Sequence, residues 1–140
     1  MEKVQENILK NLAMQSNNNM GILNAKKELR KYASKKKADI LSRFFKTEKG
    51  EYGYGDKFIG VVVPDIRKAA KAYRDLPLKE SIKLLKSPIH EERLLALLIM
   101  VLKFQKAQTE AQKKTVYKSY LANIKHINNW DLVDLSSHEI

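Results

Sequence analysis

Apolar residues recur at helical spacing along most of the chain. Val4, Ile8 and Leu12 fall four apart and predict an amphipathic helix over the first residues, ended by the polar run Gln15, Ser16, Asn17, Asn18 and Asn19, which reads as a linker. A second helix is predicted over 22–33, with Ile22, Leu29 and Tyr32 or Ala33 inward. A third follows over 37–46, with Ile40, Leu41, Phe44 and Phe45 inward. Between them Lys35, Lys36 and Lys37 form a short charge run, which is ordinarily a solvated turn and alternatively a phosphate contact.

The pattern then breaks. The segment 47–57 places Gly50, Gly53 and Gly55 around Tyr52 and Tyr54, which forbids a regular helix and predicts a tight loop, yet it matches neither a Walker loop nor a dinucleotide fingerprint. Phe58 to Val63 is the only β-like run; Pro64 follows it and no partner strand is in sight, so it reads as a buried connector. Beyond it Pro64, Pro77 and Pro88 each stand where a first helical position is expected, with Ser87 placed to cap the third helix. They predict helices over 64–74, 77–86 and 88–104. Thr109 and Gln112 form a capping box ahead of Val116, Tyr120 and Ile124, and Asn128 or Asn129 can cap a last helix starting near Trp130.

The fold class is therefore all-α, built of antiparallel helix pairs: 64–74 with 77–86, then 88–104 with the Thr109 helix. Residues 1–140 read as one domain, with 1–20 as an N-terminal helical extension. Periodicity alone leaves helical bundle and solenoid open.

Composition adds constraints. The 44% apolar content suffices for a packed core, and no run reaches the roughly 18 apolar residues of a membrane span. The N-terminus lacks the apolar block of a secretory signal, so a cytoplasmic protein is expected, without membrane contact. With no cysteine and three histidines at unrelated spacings, no structural metal is expected. His90 and His126 read as surface or cap residues. Lys and Arg number 27 against 16 Asp and Glu, a net charge of +11. Such an excess attracts a polyanion, nucleic acid being the common one, and a merely solvated lysine-rich surface is the alternative.

The most specific local feature is NNWDLVDLSS. On a helix Trp130 and Asp134 share one face a turn apart, while Leu132, Val133 and Leu135 can serve the core. Helix physics alone allows an ordinary account, a partly buried tryptophan and a solvated acid near a helix start.

The runs LSRFFKTEKGEYGYGDKFIGVVVPDIRK, LPLKESIKLLKSPIHEERLLALLIMV and INNWDLVDLSSHEI together resemble the DNA alkylation repair family, over about 38–140. Known members are HEAT-like-repeat DNA glycosylases acting on alkylated purines. The resemblance implies a curved array of helical repeats and a substrate of duplex DNA carrying cationic lesions of the 3-methyladenine and 7-methylguanine type. Trp130 then corresponds to a tryptophan packing against the lesioned nucleotide, and Asp134 to the carboxylate central to catalysis. That chemistry suits the residue types, because a cationic base leaves without protonation and a carboxylate opposes the charge developing on the sugar. On a concave repeat surface Arg67, Lys71 and Arg93 are the expected DNA-binding cations. Phe44 joins them from RFFK, at a position where one branch of the family has a tyrosine, whose hydroxyl is absent here. The family site also uses an arginine and a second tryptophan from later helices, neither of which appears before Ile140. The chain is accordingly expected to be a C-terminally shortened member, weak in catalysis, with its last helix open to self-association. The rival reading is a non-catalytic helical scaffold binding nucleic acid or protein through the same face.

Overall fold

The computed structural model describes residues 2–45, 55–127 and 132, with backbone alone for 14–19. Every regular element among them is helical: α1 (Glu2–Arg30), α2 (Lys35–Phe44), α3 (Val63–Ala72), α4 (Leu78–Leu85), α5 (His90–Lys106) and α6 (Glu110–Ala122), followed by a 3₁₀ turn (Ile124–His126). The expected all-α class is what the chain adopts.

At 15–19 the structure departs from expectation. The polar run is not a linker, because α1 passes through it as one helix of 29 residues. Asn, Gln and Ser each cost at most about 0.7 kcal/mol against Ala inside a helix, and no proline interrupts the run, so a helix already propagating on either side continues across it. Val4, Ile8 and Leu12 stay more than half exposed. The packing half of α1 comes later: Ala25 and Leu29 are fully buried and Ile22 lies against the core, as does Tyr32 just past the helix end. This half rests on α3 and α4.

Helix α2 starts at Ser34, whose extended backbone lets its hydroxyl accept the Lys37 N–H. It buries none of its own residues. Of the four residues expected inward, Ile40 and Phe44 are exposed and Phe45, just past the helix end, is buried.

The core is organised around α5. Every residue from His90 to Val101 is buried, and from Leu94 to Val101 the helix is apolar on all sides. It packs against α3, α4 and α6. The 64–74 and 77–86 helices were expected to pair chiefly with each other; instead α3 and α4 each set a short apolar face against α5. Ile66, Ala69 and Ala70 do so from α3, Leu84 and Leu85 from α4. The pairing of α5 with α6 is as expected, and α6 begins with the full Thr109–Gln112 capping box.

The prolines punctuate as expected with small shifts. Pro64 sits in the first turn of α3, and Pro77 occupies the N-cap of α4. Helix α5 starts two residues after Pro88, with Ile89 at its N-cap. Ser87 therefore acts one step outside the helix: its hydroxyl accepts the Ile89 N–H at 3.1 Å and donates to Glu92 Oε1 at 2.8 Å. The 58–63 run is a connector as expected, entered through an isolated parallel bridge between Lys57 and Ile89.

Candidate functional site

The first turn of α5 carries four consecutive ionisable residues, His90, Glu91, Glu92 and Arg93, all buried at the start of the most apolar helix. Buried charge persists only when paired or hydrogen-bonded. Here each side chain engages a different part of the chain. Glu91 accepts the backbone N–H groups of Ile59 (3.1 Å), Gly60 (2.7 Å) and Val61 (3.1 Å), fixing the connector that leads into α3. Glu92, 1% exposed, accepts from Ser87 and pairs with Lys26 (3.5 Å) and Arg30 (3.8 Å) of α1. Arg93 pairs with Asp56, and His90 Nδ1 lies 3.2 Å from the other Asp56 oxygen. The His90 ring stacks on Phe58 and Phe45, centroids 4.6 and 5.1 Å apart. Acids at a helix start also suit its positive end.

This polar hub ties α1, the end of α2 and the connector to one helical turn. Its backbone fits closely: Gly60 takes φ +81°, and its carbonyl and that of Ile59 both accept the Ser34 N–H at 3.1 Å. Spacing does not reveal the hub, and His90, expected as a surface or cap residue, lies buried within it. A usable signal was present, since four ionisable residues leading directly into LLALLIMV cannot all face away from a helix buried on every side.

Of the expected DNA-binding residues, Arg67 and Lys71 lie exposed on α3, opposite its buried Ile66, Ala69 and Ala70. Phe44 is 59% exposed, its ring edge-on to Phe45. Arg93 is 7% exposed and held by Asp56, so its charge faces inward. The structure thus leaves Arg67, Lys71 and Phe44 open to solvent and sets Arg93 apart from them. Trp130 and Asp134 lie outside the described residues, as do Asn128 and Asn129. Leu132, between the tryptophan and the aspartate in sequence, is fully buried in the core.

His126 stands shortly before that stretch in the sequence. Its Nε2 is buried and has no hydrogen-bond partner among the described residues. Burial pushes the imidazole pKa below its ordinary value, and Lys125, Lys86 and Arg93 push the same way. The ring is thereby favoured in its neutral form.

These features define an all-helical protein with basic exposed helices and a buried polar hub. A profile of the family described as DNA alkylation repair enzyme matches residues 25–140, and the chain belongs to that family. A role in DNA repair comes with that membership. No curated protein and no solved structure matches. Among the described residues no helix is long and apolar enough to cross a membrane.

Proposed function

We propose that the protein is a DNA glycosylase that hydrolyses the bond between deoxyribose and a cationic alkylated purine in duplex DNA. The observation that carries this reading is the family match over 25–140, which includes Trp130 and Asp134 in the spacing W-D-x-V-D. An N3- or N7-alkylated purine already carries the positive charge that makes it a good leaving group. Asp134 would oppose the charge developing on the sugar and orient the attacking water, and the Trp130 indole would give the cationic nucleotide a π face. No cofactor enters this chemistry.

The helices are read as HEAT-like repeats whose basic face grips phosphates. Arg67 and Lys71, exposed on one helix, suit that role, with Phe44 as an exposed aromatic earlier in the chain. Arg93 is better suited to holding the hub. Release of free alkylated base from a methylated duplex tests the reading. Asp134→Asn should slow single-turnover release by on the order of 10², because it removes charge while keeping shape. Near-unchanged release by this variant would remove the mechanism, and binding of duplex without any release would favour the non-catalytic scaffold.

A further inference from the structure

A cavity of about 300 Å³ lies where the C-terminal ends of α3 and α5 meet the first turns of α6, on residues the glycosylase reading does not use. Three cations line it: Arg74, Lys103 and Lys106. Arg74 and Lys106 are exposed and have no ion pair or side-chain hydrogen bond with any described residue. Lys103 is partly buried, and its Nζ donates to the Arg74 carbonyl at 3.1 Å. An ammonium has three donors, so two remain. Burial lowers the Lys103 pKa, and Asp75 opposes that only in part, so the ammonium lacks a full counter-charge.

Gln112 also lines the space. Gln112 accepts the Gln108 and Thr109 N–H groups with its side-chain oxygen, which leaves its NH₂ group available. With Asp75 set against the three cations, the wall keeps an excess of two positive charges, borne on a guanidinium fork and two ammonium groups. Leu102 and Val116 add an apolar part to the lining. Several N–H donors with net positive charge lining one cavity suit an anion with three or more oxygens, and the apolar lining suits a small carbon body attached to it.

We propose that this cavity is a phosphate-binding site, taking the phosphate group of a small phosphate ester or of a nucleic-acid backbone. The site is separate from Trp130 and Asp134 in its residues, and the proposal stands whether or not the chain cleaves glycosidic bonds.

The test is an NMR titration of the whole chain with inorganic phosphate, glycerol phosphate and a short undamaged duplex, each against sodium chloride at matched ionic strength. Saturable shifts are expected at the amides around Arg74, Lys103, Lys106 and Gln112. Arg74→Gln combined with Lys106→Gln should weaken phosphate binding about tenfold or more, with the remaining spectrum unchanged because neither side chain supports the fold. If the duplex moves the same amides and glycerol phosphate competes with it, the natural source is nucleic acid; if only the small ions act there, it is a free ester. Shifts that do not saturate, shifts reproduced by chloride, or full binding by the double variant would each overturn the site.

Discussion

Glu91 Oε2 stands 2.7 Å from the backbone nitrogen of Gly60 and also accepts from Ile59 and Val61, so one buried carboxylate closes three consecutive amides of the connector. Hydrogen bonds to a charged acceptor contribute about 1.5–3 kcal/mol each, and a buried N–H left without a partner costs a comparable amount. Glu91→Ala should therefore destabilise the protein by about 3 kcal/mol or more, a large share of the roughly 5–15 kcal/mol that holds a domain together. Glu91→Gln keeps an acceptor and should lose less. Urea unfolding of the two variants measures the difference, and equal losses would show that the carboxylate charge is not what secures the connector.

Gly60 and Gly55 share a positive φ, +81° and +89°, but not an environment. A Cβ on Gly60 would lie 1.9 Å from the Ser34 carbonyl oxygen and 2.6 Å from the Ala38 nitrogen, both backbone atoms that cannot step aside. Among the described residues, a Cβ on Gly55 would meet nothing within 4 Å. Gly55→Ala should thus cost only the conformational strain, about 1–2 kcal/mol. Gly60→Ala should cost considerably more, or prevent α2 from docking. Thermal unfolding of both variants checks the order.

Much of the fold was legible because its signals were local. The Thr109–Gln112 box and the three prolines mark helix ends through backbone chemistry that needs no distant partner, and those ends fall close to their expected places. What escaped the sequence was set by tertiary contact. Asn17, Asn18 and Asn19 read as a break, yet their cost is small enough for α1 to continue through them. His90 read as a surface or cap residue and Arg93 as a DNA-facing cation because their partner Asp56 lies more than thirty positions away and becomes visible only once the chain is folded. Arg67 and Lys71 fall on the exposed face because the buried positions of α3 are Ile66, Ala69 and Ala70, a pattern helical spacing can carry.

Protonation of His126 should weaken the fold. Its pKa is lowered chiefly by burial, with Lys125, Lys86 and Arg93 adding to the effect. A base with a depressed folded pKa takes up its proton more readily unfolded, so its contribution is fully present above the ordinary histidine value of about 6.5 and is lost as pH falls through the lower folded value. Stability should decline on acidification in that window, before most carboxylates titrate. His126→Gln, which cannot take a proton, should flatten the decline. Denaturant midpoints at a series of pH values decide it, and an unchanged slope in the variant would assign the decline to other groups.

Arg67 and Arg93 should separate DNA binding from folding, because one guanidinium is exposed and the other is buried against Asp56. Each phosphate that a cation no longer neutralises in a duplex complex lowers the slope of log K against log salt by about 0.9. Replacing Arg67 and Lys71 by Gln together should therefore reduce that slope by about two and leave the unfolding midpoint nearly unchanged, since exposed charges of this kind contribute little to stability. Arg93→Gln should do the reverse. It leaves the Asp56 carboxylate buried without its cation, a loss of about 3–5 kcal/mol for a broken buried pair, while the folded fraction keeps the wild-type salt slope. Fluorescence anisotropy over a salt series, beside urea unfolding of the same preparations, distinguishes the two effects. A reduced slope for Arg93→Gln at full stability would show that this arginine reaches phosphate after all, and would require Asp56 to release it when DNA binds.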